Sequence, residues 1–208
     1  AKDFGVELID LNKGVFRSEF EIVTETGGIH SIKYAEKIKE FDTLISVAVA
    51  KTHDAAVATL STKNMMGCLR RVMRPRMHGI QLGRPAEAVG ELLWNAIEDH
   101  SWIIKLFSSA VFKIVKIQRR LEKKIHGGAS PGLHSQTGAI SENLARMAKH
   151  IFPDIAVIDA FEAMEGEGPG SGTPVTMKLA VAGTDPVSCD AVMAYMMGFD
   201  PLSIGYLN

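Results

Sequence analysis

Residues 43–50 (TLISVAVA), followed at once by Lys51-Thr52-His53-Asp54, form the stretch on which the fold turns. An almost unbroken apolar run rich in β-branched residues reads as a strand covered on both faces, as parallel sheets require. Polarity returns abruptly at its end. In open α/β sheets ligands bind outside the carboxyl ends of strands, so these four polar residues are the first candidates for a site.

Working outward, residues 15–25 (VFRSEFEIVTE) place Phe16, Phe20 and Ile22 on one parity and Arg17, Glu19, Glu21 and Val23 on the other. That alternation predicts a half-buried strand near an edge. Residues 5–11 read as a short strand closed by Asn12-Lys13-Gly14. Residues 32–41 read as a helix on the spacing of Tyr34, Ile38 and Phe41. After the apolar strand, Asp54 is expected to cap a helix that runs to Met66 and stops at Gly67. Residues 70–83 read as a basic loop. Pro85 opens a helix to His100, Ser101 caps another to His126, and residues 127–132 (GGASPG) break the chain. A helix over 137–151, a strand over 155–159, a glycine-rich stretch over 166–172 and a strand over 176–182 follow. Asp185-Pro186, as N-cap and first helical residue, opens a last helix ending at Gly198.

Strands alternating with helices predict one α/β domain over 1–208, with a largely parallel or mixed sheet flanked by helices and residues 84–126 as a helical insertion. A chain that opens on Ala1 and stops soon after Gly198-Phe199-Asp200-Pro201 is expected to be part of a longer protein.

Composition narrows the function classes. The chain has 208 residues, 46% of them hydrophobic and 23% charged, which excludes a disordered or fibrous protein. With 23 basic and 24 acidic residues the net charge is −1, so no global field draws the chain to nucleic acid. Cys68 and Cys189 stand outside any CxxC pattern, which argues against a disulfide framework, a zinc site or an iron-sulfur cluster held by this chain's own cysteines. A reducing, cytoplasmic setting is expected. The most apolar stretch, 102–117, carries Lys105, Lys113 and Lys116, so no transmembrane segment is expected.

Four polar groups could carry chemistry. Lys51 could pair an anion and His53 could act as acid, base or metal ligand, although a solvated strand end and a capping Asp54 are the plainer reading. On the predicted helix, Thr59 and Lys63 fall one turn apart on one face with Thr62 and Asn64 beside them, set against an ordinary polar face. Asp159, Glu162, Glu165 and Glu167 flank the glycine-rich stretch, where carboxylates suit a hard cation or proton transfer and a tight surface loop is the alternative. Asp185 reads as an N-cap. Asp190 sits on an otherwise apolar helix, exposed on a narrow polar face or held for a purpose, with exposure the simpler expectation. His78 and His134 lie in loops on either side of the predicted insertion. Arg70, Arg71, Arg74 and Arg76 form a basic run that could bind an anion, an acidic lipid surface or nucleic acid; without interleaved aromatics it offers no platform for bases, and no nucleic-acid partner is expected.

Three blocks, residues 51–67 (KTHDAAVATLSTKNMMG), 154–174 (DIAVIDAFEAMEGEGPGSGTP) and 182–201 (AGTDPVSCDAVMAYMMGFDP), together resemble the domain of unknown function 362 family, in the same order. The resemblance implies recurring polar positions at Lys51, His53, Lys63, Asn64, Glu165, Asp185 and Asp190, with His134 a weaker match. Many members carry a fused ferredoxin module, and this chain has no such cysteine run; it also lacks the family's Lys-Pro-Asn part, and its 69–130 stretch is longer than in compact members. The expectation is an uncharacterised enzyme, redox or isomerase-like, acting on a small anionic substrate at the strand ends. Lys51, His53, Lys63, Asn64, Glu165 and Asp190 would do the work, with the cofactor and any metal unknown and a homo-oligomer within range. The alternative is an iron-sulfur-associated electron-transfer or accessory protein, its cluster in a ferredoxin-like module or partner outside this chain.

Overall fold

The computed structural model describes residues 2–80 and 133–208. The expected helices over 85–100 and 101–126, and with them the insertion over 84–126, lie outside the described residues. Seven strands are described: β1 Glu19–Val23, β2 Ile29–Lys33, β3 Ile45–His53, β4 Val57–Thr59, β5 Ile155–Glu165, β6 Thr173–Val175 and β7 Leu179–Gly183. Three α-helices accompany them: α1 Ser61–Asn64, α2 Leu133–Ala148 and α3 Pro186–Met196. The α/β class holds, and the sheet is mixed: β5 lies parallel to β3 on one side and antiparallel to β7 and β6, while β4 folds back antiparallel on β3.

β1 and β2 form a separate antiparallel hairpin. Its turn closes through Thr24, whose hydroxyl accepts the Gly28 N–H at 2.9 Å, and through Gly27, whose φ of +81° only glycine adopts freely. The alternation expected of residues 15–25 is realised, with Phe20 and Ile22 buried. They pack with Ile32 of β2 and with Ile140, Leu144 and Met147 of α2, the last four of these fully buried together with Ile22. Burial of each such side chain contributes about 1.5–3 kcal/mol. Asn143 locks hairpin to helix: its Oδ1 accepts the Val23 N–H at 2.8 Å, and its Nδ2 donates to the Val23 and Met77 carbonyls at 2.9 and 3.2 Å.

Four expectations are corrected. Residues 5–11 form no strand, because Val6 and Leu8 meet no sheet and stay exposed; a 3-10 turn at Leu11–Lys13, capped by Asp10, follows. Residues 32–41 are not one helix. Ile32 completes the β1 ladder opposite Phe20, and only Glu36–Glu40 winds into a 3-10 turn. The strand around residues 43–50 is covered on one face rather than two: Ser46, Ala48 and Ala50 are buried, while Val47 is 66% exposed and Ile45 and Val49 are also open. The small buried residues let α1 approach closely, and Ser46 Oγ donates to the Ser61 carbonyl at 3.0 Å.

The fourth correction concerns the helix expected from Asp54 to Met66. The chain instead turns at residues 54–56 and returns as β4, pairing His53 with Val57 and Lys51 with Thr59. His53 Nδ1 accepts the N–H groups of Ala55 at 3.1 Å and Ala56 at 3.2 Å, taking donors a helix start would need capped by Asp54. Val57 adopts φ +66°, a left-handed conformation costly for a β-branched residue and a mark of local strain. Thr59 and Lys63 therefore do not share a helical face.

Candidate functional site

β3 carries His53 to the rim of a cleft of about 580 Å³, lined by His53, Asp54, Ala55, Met66, Arg71, Arg74, Pro75, His78 and Ile80. His78 ends a 3-10 segment, Arg71–His78, closed by Gly79 at φ +79°. A Cβ on Gly79 would lie 2.8 Å from Ala139 Cβ and from Glu25 Cγ, so glycine is required for this segment to seat. The segment brings the basic run of residues 70–76 to the strand end. The two imidazoles stack, their centroids 5.4 Å apart and their planes 13° from parallel.

Protonation follows from the partners. Burial, then the nearby Lys63 ammonium, pushes His53 down to about 4, with Asp54 opposing. Burial, then Lys63 and His53, pushes His78 down to about 4. His53 Nδ1 also lies 3.0 Å from Asp54 Oδ1. This contact is an ion pair only when the ring is protonated; at neutral pH the two backbone N–H groups occupy Nδ1, and the ring's own proton sits on Nε2 as a donor.

Lys63 lies behind this wall, 6% exposed. Its Nζ donates to Met66 Sδ at 3.3 Å, and Met66 lines the cleft. A thioether is a weak acceptor for a buried ammonium, and burial, opposed by Asp54, lowers the amine to about 8. Arg74 closes the far side, its guanidinium donating to the Leu69 and Gly67 carbonyls and to Asn12 Oδ1. Burial, then neighbouring Arg71, holds it below its ordinary value. Among the described residues lining the cleft, Arg71 and Arg74 stand against one carboxylate, Asp54, and with the Lys63 ammonium behind them they make this part of the wall basic.

The other expected residues are distributed differently. Asn64 turns to the sheet, its Nδ2 donating to Ser46 Oγ at 3.1 Å and the Val47 carbonyl at 3.2 Å. Asp190 is fully buried, not exposed as the simpler expectation had it: Oδ1 accepts the Ser61 N–H at 2.8 Å and Oδ2 the Thr62 N–H at 2.9 Å. It thus caps α1 from α3, and α1 in turn presents Lys63. Asp185 is the N-cap of α3, accepting the N–H groups of Val187 and Ser188, with Pro186 at the first helical position. Lys51 lies opposite Thr59 and Met164, and Glu165 ends β5 opposite Thr173, exposed. His134 lies in the first turn of α2.

Between Val49 and Lys51 the register against β5 jumps from Asp159 to Met164, a bulge of the kind that re-aims side chains beside sites. The glycine-rich stretch packs on the same strand end. Thr52 Oγ1 donates to the Gly166 carbonyl at 2.9 Å, and a Cβ on Gly168 would fall 2.0 Å from the Thr52 carbonyl oxygen. Among the described residues no group of three His, Cys, Asp or Glu could hold a metal ion. No described helix is long and apolar enough to cross a membrane. Sequence reasoning left His78 without a partner and gave the arginine run an anion but no place on the site; the one available signal was that both follow the 51–67 block within 11 residues.

The family described as "Domain of unknown function (DUF362)" matches residues 1–195. A thylakoid-associated protein of Synechocystis sp. is 21% identical over 181 residues, covering 87% of this chain and 40% of that protein. The chain thus spans about 40% of the length of the curated relative it matches. No solved structure matches.

Proposed function

The chain belongs to the domain of unknown function 362 family, which assigns it no reaction, and from its geometry we propose an enzyme that binds a small anion in the basic cleft and moves a proton there. The observation that carries this reading is Lys63, a buried ammonium with a thioether for acceptor, next to two stacked imidazoles held neutral. Arg71 and Arg74 supply the charge that draws an anion. His53, with Nδ1 occupied, offers Nε2–H to polarise a carbonyl or carboxyl oxygen as a neutral electrophile. Lys63, poised to lose its proton near neutral pH, provides the basic group, and the chemistry is of the isomerase kind. Lys51 and Glu165, at neighbouring strand ends, belong to the outer rim of the same site.

Small carboxylates and inorganic phosphate, titrated against the imidazole proton resonances of His53 and His78, test this. Saturable shifts that weaken with salt, and weaken at least about tenfold in Arg71→Gln, are expected. Resonances unmoved across the panel overturn it. Iron found only in a longer form of the protein, prepared without oxygen, and not in this chain would instead favour an iron-sulfur-associated accessory protein that docks a ferredoxin-like module. The two free, buried cysteines suit a reducing, cytoplasmic setting, and a homo-oligomer is compatible with the open sheet face.

A further inference from the structure

Lys63 is the one buried cation among the described residues, and among them its ammonium has a single hydrogen-bond acceptor, Met66 Sδ at 3.3 Å, with the Asp54 carboxylate acting on it through space. A lysine that serves structure alone ends on a carboxylate or on carbonyl oxygens, because an unpaired buried charge is costly. Here the long side chain is folded under a cleft whose mouth is basic and whose wall carries a neutral N–H donor, His53. A desolvated lysine of this sort is a nucleophile for carbonyl carbon. The basic mouth selects a substrate with a carboxylate, and the buried amine behind it selects a carbonyl next to that carboxylate.

We infer that the substrate of this cleft is a 2-oxo acid and that Lys63 Nζ forms an imine with its carbonyl carbon, an inference that rests on the anion-binding reading above. The lone pair of the neutral amine attacks the carbonyl carbon while the C–O π pair moves to oxygen, which takes a proton from the nitrogen. His53 Nε2–H hydrogen-bonds that oxygen as charge develops on it. The resulting hydroxyl leaves as water after taking one proton from solvent, and the nitrogen lone pair closes the C=N bond. The products are a protonated imine and one water, with no change of oxidation state and no further reactant. The protonated imine withdraws electrons from the adjacent carbon, which is what proton transfer at that carbon needs. Burial, which lowers Lys63 to about 8, keeps a working fraction of the amine neutral near pH 7.

The test is reductive trapping with pyruvate and cyanoborohydride on the full chain, read by intact mass and peptide mapping, alongside pyruvate titration of the His53 and His78 resonances. The expected result is one adduct per chain, with the mass of pyruvate less one oxygen, mapped to Lys63 and reduced at least about tenfold in Lys63→Arg. Excess inorganic phosphate should suppress it in the unaltered protein. Saturable resonance shifts with no adduct, or with adducts spread over surface lysines, overturn the imine and leave the anion-binding cleft standing. Neither shift nor adduct overturns both. Should Lys63→Arg fail to fold, the mapped position of the adduct in the unaltered protein decides alone.

Discussion

The imidazoles of His53 and His78 stack at 5.4 Å, so a proton on either one meets the other ring and the ammonium of Lys63, with Asp54 opposing from the side. Both are pushed from 6.5 to about 4, first by burial and then by Lys63. Between about 6.5 and 4 the unfolded chain binds two protons that the folded chain refuses. Stability therefore falls as pH falls through this window and levels off below it. Urea melts from pH 7 to pH 4 should show that loss, and proton NMR should place both midpoints near 4. His78→Phe keeps a stacked ring and removes one titration, so the acid slope should be roughly halved. Midpoints near 6.5 for both rings would defeat this account.

Asp190 works in the opposite direction. Burial raises it from 3.8 to about 6, against the pull of the backbone N–H groups of Thr62 and Ser61. Its folded value exceeds its unfolded one, so the folded chain binds the extra proton, and this group alone makes the protein more stable as pH falls from about 6 to about 4. Asp190→Asn should therefore steepen the acid loss caused by the histidines. Asp190→Ala leaves the Ser61 and Thr62 N–H groups buried without an acceptor, at about 1–3 kcal/mol for each. Denaturation at pH 7 is expected to rank Asp190→Ala well below Asp190→Asn.

Asn143 shows the same dependence on hydrogen bonding in the other half of the fold. Its amide meets the Val23 N–H, the Val23 carbonyl and the Met77 carbonyl with both ends used. Asn143→Leu is close in volume but orphans all three groups, each worth about 1–3 kcal/mol when buried and unmet. Asn143→Asp keeps the bond to the Val23 N–H and turns the other two contacts repulsive. Both variants should lower the urea midpoint, and amide exchange at Val23 should speed up well beyond that of Ile158 in the main sheet.

What the sequence made legible was periodicity and punctuation. The alternation around Phe20 and Ile22, the apolar strand into Lys51, and Asp185-Pro186 as a helix opening are all local patterns, and each is realised. Long-range hydrogen bonding decided the rest. Asp190 looked surface-bound because its helix partner, the Ser61 and Thr62 backbone, lies far away along the chain. The turn at residues 54–56 defeats helix reading because a side chain, His53, takes the amides there. His53 was legible as a candidate from its strand end. His78 was not, because only the tertiary path of Arg71–His78 sets it on the same cleft.

Gly168 tests how tightly the glycine-rich stretch is fixed to the strand end. A Cβ there would sit 2.0 Å from the Thr52 carbonyl oxygen, a backbone atom that cannot step aside cheaply. Gly168→Ala should lift the loop and break the Thr52 hydroxyl bond to the Gly166 carbonyl. Gly170, with open space where its Cβ would be, is the control. Proteolysis within residues 166–172 should accelerate in Gly168→Ala and stay unchanged in Gly170→Ala, while the far hairpin keeps its exchange rates. Equal behaviour of the two variants would mean that the loop is not seated on Thr52.

Neighbouring residues of β3 give opposite expectations for the same kind of change. Val47 is 66% exposed and Ala48 is 4% exposed, because successive side chains of a strand face opposite sides. Ala48 is buried, so Ala48→Leu forces side chains apart and should cost about 1–3 kcal/mol. Val47→Thr removes no buried surface and should stay within about 0.5 kcal/mol. Phe161, 63% exposed on β5, should tolerate Phe161→Thr in the same way, and the double variant Val47→Thr with Phe161→Thr should raise solubility by shrinking the open apolar face. A loss of several kcal/mol for Val47→Thr in urea melts would mean that this face is covered in solution, restoring the two-sided burial that the apolar run of residues 43–50 suggests.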